Sequence, residues 1–514
     1  MGNGVASMIF RRAQWLRLGW DTSFKKSSVE IKKPVLDSRK VSKGSAFFAY
    51  DGTHVSGKDF LFEALEKGAS AVFVDIRHKK EILEDDRFSS NLPIFFGLHF
   101  RKIAGQTISF LLGDPSKSLE VIGITGTNGK TTTALFLQQT LEKLKQKTAY
   151  IGTLGFSLGR EKKDLGLTTP DVISMHQLLE KSLKKKAVYA ILEASSHGLW
   201  QGRLEGVEFN LGIFTNLTQD HLDYHEDMES YYEAKKILFL RLLEIARKYP
   251  KAVYGAIIGT DTSYGKRLAK EIKSLSPPFP VITVGEEGDA KLTQIRPSWN
   301  GYRALLIWAQ KTYKLKTSLL GRFNLENFAF AFLALLLLGF EADEILPYMQ
   351  KLSAPEGRME VIKGPQGRHI VIDYAHTPDA LQNLLETVAE LNPIRIILVF
   401  GCGGNRDKEK RPLMGRIANR MADFTIITND NPRNEDPQSI VNDIKQEMKG
   451  SNFIVVFERD KAIHTGLTLL GPQEVLVIAG KGHENYQILK DKTIHFSDKE
   501  VATKLLASMK YDNK

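Results

Sequence analysis

Short apolar runs that end in glycine or polar residues recur along the chain, with stretches of helical spacing between them. Up to about residue 112 this reads as a small α/β unit. Gly44–Tyr50 is a strand running into a turn at Asp51-Gly52, Phe60–Lys67 has helical spacing, and Ala71–Asp75 is a buried strand. The turn-rich Gly113-Asp-Pro-Ser116 marks a boundary. A second block follows: a strand at Val121–Thr125, a glycine turn, a helix from Lys130 to about Lys145, and further apolar runs at Thr148–Thr153, Tyr189–Ser195 and Leu211–Asn216. A third starts near Pro355–Arg358, with strands at Ile370–Tyr374, Ile396–Gly401, Phe424–Thr428 and Val475–Ala479. This alternation predicts an α/β protein of mostly parallel sheets covered on both faces. The blocks imply three domains, 1–112, 113–352 and 353–514, and a length of 514 residues agrees, being more than one core organises. The longest apolar run, Phe328–Phe340, falls short of the roughly 18–20 residues needed to cross a bilayer. It predicts a buried helix, so no membrane span is expected.

Composition adds exclusions. With 42% hydrophobic and 25% charged residues, wholesale disorder is ruled out. The single cysteine, Cys402, excludes an internal disulfide and a thiolate zinc cage, and suits a reducing cytoplasm. No apolar h-region with a small-residue cleavage site opens the chain, so no signal peptide is expected. The formal charge of +11 favours anionic ligands. No basic block with interleaved aromatics stands out, so nucleic acid is not an expected partner.

Candidate chemistry begins at Thr125-Gly126-Thr127-Asn128-Gly129-Lys130-Thr131-Thr132, between a predicted strand and a predicted helix. The N–H groups of such a turn and of the helix N-terminus form an anion cradle. Lys130 would reach the β- and γ-phosphates of a nucleotide, and the Thr131 hydroxyl would hold Mg²⁺. The strict Walker spacing fails because Ile124 stands where a glycine is required. A GTPase base reader, Asn-Lys-x-Asp, is absent, since Asn-Lys occurs only at the last two residues.

Glu193 ends a strand in Glu-Ala-Ser-Ser-His and could ligate Mg²⁺, which prefers a few carboxylates together with phosphates and water. Thr215–His225 is dense in His and Asp but matches no common zinc spacing. In the third block four strands end in DYAH, GCGGNRD, NDNPR and GKGHE. Ligands of open α/β sheets gather at such carboxyl ends.

The loop Gly-Thr-Asn-Gly-Lys-Thr-Thr resembles that of the Mur ligases, ATP-dependent amide-forming enzymes of peptidoglycan synthesis. The folylpolyglutamate synthetases share a similar loop. From about Val35 nearly the whole chain resembles the diaminopimelate-adding Mur ligases. That resemblance implies an N-terminal domain for the uridine diphosphate substrate, a central phosphate-loop domain and a C-terminal Rossmann-like domain. It makes Lys130, Glu193, His221 and Lys235 the catalytic and metal set, with Lys235 carried as a carbamate (N6-carboxylysine), and Mg²⁺ the cofactor. ATP contacts are implied for the loop from Gly126 to Thr132 and for Asn324, Arg358 and Asp373, with Asn327 and His376 nearby. UDP-substrate contacts are implied for Ser38, Thr168, Thr169, Ser195, Gln201 and Arg203.

The amino-acid reader is implied to be Asp430-Asn431-Pro432-Arg433, with Arg406, Gly480 and Glu484. In this reading the guanidinium of Arg433 forks onto the second carboxylate of meso-diaminopimelate. Glu484 and the Gly480 carbonyl take the distal ammonium. Lysine, which lacks that carboxylate, would leave Arg433 unpaired. The implied substrates are UDP-N-acetylmuramoyl-L-alanyl-D-glutamate, meso-diaminopimelate and ATP. The enzyme is expected to be a cytoplasmic monomer whose domains close around them. A lysine-adding or folylpolyglutamate-type ligase, or a nucleotide-gated binding module without turnover, are the alternatives. A family Asn-x-Asp-Asp stretch is replaced by Gly259-Thr-Asp-Thr262, and the first 30 or so residues resemble nothing identified.

Overall fold

The computed structural model describes residues 7–52, 55–88, 92–220, 224–353 and 357–508. By packing, the chain divides into two compact units. The first comprises 1–291, 308–310 and 329–348, and the second 292–307, 311–328 and 349–514.

The first unit holds two principal sheets. A five-stranded sheet runs in the order Trp20–Asp21, Ile94–Gly97, Ala71–Asp75, Ser45–Phe48, Lys33–Val35, parallel except at the Trp20–Asp21 edge. An eight-stranded sheet runs Glu161–Lys163, Gly155–Leu158, Thr148–Gly152, Tyr189–Glu193, Glu120–Thr125, Leu211–Phe214, Gly255–Gly259, Val281–Val284. Its first two pairings are antiparallel and the rest parallel. The central strands are apolar on both faces and fully buried, as a sheet covered on two sides requires. Helix Phe100–Leu111 approaches the loop at Glu205-Gly206 so closely that a methyl group on Gly105 would sit 2.3 Å from the Glu205 Cβ.

The residues that resembled nothing in sequence form structure of their own. Met8–Arg11 pairs antiparallel with Ser28–Ile31, and helix Arg12–Leu18 follows the first of these strands. Phe10 and Trp15 are buried against each other and against Phe95, with ring centroids 5.2–6.3 Å apart. This ribbon and helix cap an aromatic core.

The second unit centres on a six-stranded sheet in the order Glu360–Lys363, His369–Asp373, Val475–Ala479, Ile396–Phe400, Phe424–Ile427, Phe453–Val455. All its pairings are parallel except the first. A hairpin, Tyr486–Leu489 with Lys492–His495, follows it in sequence. The three-stranded sheet Lys291–Ser298, Gly301–Trp308, Lys311–Thr317 was not anticipated from sequence. The apolar run at 328–340 belongs to helix Arg322–Leu337, which ends just before the left-handed Gly339. The expected boundary at Pro355 lies outside the described residues.

Candidate active site

In the first unit, parallel pairing sets Glu193 opposite Ile124, so the carboxylate emerges beside the loop that follows Thr125. Gly129 adopts a left-handed φ of +86° and caps helix Lys130–Lys143. The loop is pinned from the neighbouring strand end. Thr127 N–H donates to the Asn216 carbonyl at 2.9 Å, Asn128 N–H to Asn216 Oδ1 at 2.9 Å, and Thr215 Oγ1 to the Asn128 carbonyl at 2.5 Å. Lys130 Nζ donates to the carbonyls of Gly126 and Thr127, both at 2.9 Å, and burial lowers its pKa. Thr132 continues the first helical turn and is half-buried.

Glu193 is fully buried and saturated with donors. Oε2 accepts from Thr131 Oγ1 at 2.9 Å and Thr153 Oγ1 at 3.0 Å; Oε1 accepts from Thr153 N–H at 3.1 Å and from the Tyr150 hydroxyl. The two expected metal ligands Thr131 and Glu193 therefore touch, and both offer the hard oxygen donors Mg²⁺ prefers. Lys235 is 1% exposed, donates to the Gly126 carbonyl at 2.7 Å and lies 4.5 Å from the centroid of the Tyr231 ring. Burial, then the charge of Lys130, pushes its pKa well below the usual lysine range. His221 lies outside the described residues.

Four of the expected substrate contacts are linked to Glu193 through its main-chain carbonyl or through Thr153. Thr169 Oγ1 donates to the Glu193 carbonyl at 2.8 Å and lies 2.9 Å from Ser195 Oγ; Arg203 Nη1 donates to the Thr169 carbonyl at 2.8 Å. Thr168 Oγ1 is 3.1 Å from Thr153 Oγ1. Burial lowers the pKa of Arg203. Gln201 Nε2 donates to the Tyr224 hydroxyl at 2.8 Å. Ser38 stands apart, buried after strand Lys33–Val35, with its hydroxyl donating to Glu63 at 3.1 Å.

In the second unit the strand ends converge. Arg433 has a left-handed φ of +54°, and its N–H donates to the Ile488 carbonyl at 3.2 Å. Its Nη1 donates to the carbonyls of Gly404 at 3.0 Å and Asn431 at 3.4 Å. Its Nε and Nη2 have no partner among the described residues, so a side-on fork is left open. Asn431 Nδ2 donates to Glu484 Oε2 at 3.0 Å. Gly480, at φ +119°, brings its α-carbon against Asp430; a methyl there would lie 3.3 Å from Oδ2. Pro432 is buried, and Arg406 is exposed on the loop that Gly404 begins.

Sequence reasoning gave no role to Lys481, which is fully buried within 3.1–3.4 Å of Asp430, Asn431 and Glu484. Its position between two glycines after an all-apolar strand was the available signal. Also missed was Arg411, buried and paired with Glu435 and Asp443, whose Nη2 donates to the Gly403 carbonyl at 3.2 Å. With Glu435 accepting from Asn405 N–H at 2.8 Å, this cluster ties the Gly403–Asn405 loop to the one bearing Arg433.

On the expected ATP side, Asp373 accepts from Met359 and Ala375 N–H, both at 2.8 Å, and burial raises its pKa. Arg358 lies over the Tyr374 ring, 5.1 Å from its centroid. His376 Nδ1 is 2.8 Å from the Tyr374 carbonyl. Asn324 is buried and spends its amide on the Leu320 carbonyl at 2.6 Å; Asn327 is buried too.

A glycine loop pinned at a helix N-terminus, a lysine folded over it and a buried carboxylate beside a threonine hydroxyl define a phosphate-handling α/β enzyme. Comparison narrows the class. Three family models match in order: "Mur ligase family, catalytic domain" over 30–94, "Mur ligase middle domain" over 124–335, and "Mur ligase, glutamate ligase domain" over 357–482. The UDP-N-acetylmuramoyl-L-alanyl-D-glutamate--2,6-diaminopimelate ligase of Aquifex aeolicus is 38% identical over 477 residues, covering 93% of this chain and 94% of that protein. The Clostridium tetani ligase of the same name is 35% identical over 483 residues, covering 94% and 96%. A solved structure of a ligase of that name superposes with a TM-score of 0.73 at 32% identity, covering 93% of this chain and 95% of the other. Folylpolyglutamate synthase of Mycobacterium tuberculosis shares the fold, with a TM-score of 0.59 at 16% identity over 73% of this chain and 91% of its own. The chain belongs to the Mur ligase family and has its three-domain α/β architecture.

Proposed function

We propose that this chain is an ATP-dependent ligase that joins meso-2,6-diaminopimelate to the D-glutamate side-chain carboxylate of UDP-N-acetylmuramoyl-L-alanyl-D-glutamate. The open Nε–Nη2 edge of Arg433, held over a loop that also carries Asp430 and Asn431, is the observation that carries the choice of amino acid. A planar cation pinned along one edge by carbonyls offers its other edge to a carboxylate. Glu484 and Asp430 supply negative charge for an ammonium nearby.

The reaction balances in two steps. The D-glutamate carboxylate attacks the γ-phosphorus of ATP, giving an acyl phosphate and ADP. The neutral amine of diaminopimelate then attacks the acyl carbon, inorganic phosphate leaves with its bonding pair, and the nitrogen gives up one proton to solvent or to the departing phosphate as the amide forms. In this reading the loop N–H groups and Lys130 hold the triphosphate and spread its developing charge. Thr169, Ser195, Gln201 and Arg203 orient the muramoyl dipeptide, and Ser38 its uridine diphosphate end. Asn324, Arg358 and Asp373 serve the nucleotide.

Thr131, Glu193, Lys235 and His221 are the residues that would hold Mg²⁺, which when bound neutralises charge on the phosphates. Lys235 fits carbamylation, because only a neutral amine adds CO₂ and its burial disfavours the ammonium. The reading divides the chain at 112/113 and 352/353, and places a monomer in the cytoplasm, where ATP is supplied. Among the described residues no helix is long and apolar enough to cross a membrane.

The test is ADP release from ATP with the muramoyl dipeptide and each amino acid in turn. Turnover with meso-diaminopimelate well above that with L-lysine is expected. Preference for lysine, or ADP release indifferent to the amino acid, would overturn the reading.

A further inference from the structure

The chain's positive charge is unevenly placed. Between residues 7 and 43 stand ten Lys or Arg against three Asp or Glu, so this short stretch carries +7 of the +11. The first of the family models begins only at residue 30, and +4 of this excess lies before it.

The structure leaves five of these cations exposed on the N-terminal ribbon and helix, with aliphatic side chains among them. Helix Arg12–Leu18 turns Trp15 into the core and leaves Arg12, Ala13, Leu16 and Arg17 exposed, positions that share one side of a helix. On the paired ribbon, Phe10 and Val29 face inward while Ile9 and Arg11, two apart, face outward; Glu30, opposite Ile9, is the one carboxylate of the ribbon on that outer face. Ile9 is 54% and Leu16 57% exposed. Lys25 and Lys26 are exposed just before the partner strand, and the Arg12 N–H donates to the Ser27 carbonyl at 2.8 Å, which keeps them beside the helix start. None of Arg11, Arg12, Arg17, Lys25 and Lys26 forms an ion pair among the described residues.

We propose that this face docks the enzyme on an anionic lipid bilayer. Unpaired cations around protruding aliphatic side chains are what an interfacial membrane contact needs: the cations meet headgroups while Leu16 and Ile9 enter the acyl boundary. Nucleic acid fits less well, because the aromatics of the segment, Phe10, Trp15, Trp20 and Phe24, are all buried and none can stack on a base. The proposal does not depend on which amino acid the ligase adds.

The experiment is flotation of the full-length protein with phosphatidylcholine vesicles, with and without phosphatidylglycerol, at low and high salt. Binding is expected only to the phosphatidylglycerol vesicles, and should fall as salt rises. Each basic residue near such a surface is worth roughly a fivefold gain in partitioning. The combined Arg11→Gln, Arg12→Gln and Arg17→Gln variant, which removes three positive charges, should therefore bind on the order of a hundredfold less. Its ADP release with soluble substrates should match the parent, which also reports correct folding. Leu16→Ser should weaken binding at high salt more than at low salt, separating insertion from charge alone. Equal binding to neutral vesicles, an unchanged triple variant, or tighter retention by single- or double-stranded DNA than by the anionic vesicles would overturn the proposal.

Discussion

Replacing Arg433 by alanine tests the proposed amino-acid reader most directly. The guanidinium is anchored by Nη1 on the carbonyls of Gly404 and Asn431, and its Nε–Nη2 edge is open. A carboxylate received there gains two charge-assisted hydrogen bonds, roughly 1.5–3 kcal/mol each. Their loss, about 3–6 kcal/mol together, is about a hundredfold to ten-thousandfold in kcat/KM at ~1.4 kcal/mol per decade. Alanine at φ +54° suffers much the same backbone strain as arginine, so the comparison isolates the side chain. Arg433→Lys, which keeps the charge but loses the fork, should retain only part of the activity. The assay is amino-acid-dependent ADP release, run in parallel with meso-diaminopimelate and L-lysine. The diaminopimelate KM should rise steeply while the weak lysine reaction stays level or improves, since no half-buried cation then waits for a missing carboxylate. A diaminopimelate-to-lysine ratio unchanged in the alanine variant would refute the reasoning.

Lys235→Ala should lower kcat by at least about a hundredfold, with partial rescue by added short carboxylates that restore an oxygen donor; no rescue together with full activity would remove the carbamate from the scheme. Gly105→Ala forces a methyl within 2.3 Å of the Glu205 Cβ and 2.7 Å of its backbone, and should destabilise the first unit by about 1–3 kcal/mol in urea unfolding; an unshifted midpoint would contradict the packing. The Arg411 guanidinium beside Glu435 holds that carboxyl at about 2, against an ordinary 4.5. Because the folded value is the depressed one, its stabilisation is complete above pH 4.5 and is lost as the pH falls toward about 2. Urea midpoints should decline across that window in the parent and decline less in Arg411→Met, and parallel profiles would count against the cluster's role.

The parallel strands were legible because a strand buried on both faces must be apolar at every position, and runs such as Val121–Ile124 and Val475–Ala479 have no other soluble explanation of that length. Their polar ends were legible for the complementary reason: Glu193, Asp373, Asp430 and Gly480 interrupt the apolar pattern where a packed strand would continue it. What the pattern concealed depends on partners distant in sequence. The outer strands of the 291–317 sheet carry no uninterrupted apolar run, and the N-terminal ribbon is recognisable only once Phe10 and Trp15 have Phe95 to pack on. Lys481 and Arg411 belong to the same category. A lone lysine or arginine reads as solvent-facing until the carboxylates that neutralise it are brought from tens of residues away, so a buried ionic cluster is a property of the fold rather than of any local segment. The resulting asymmetry favours function over support. The residues proposed to meet ligands lie mostly in short contiguous motifs at strand ends, whereas those that hold the motifs rigid, Thr215 and Asn216 under the phosphate loop and Arg411 with Glu435 under Arg433, are assembled by topology. Substitutions at these supports should therefore impair the site without altering any residue that its motifs would single out.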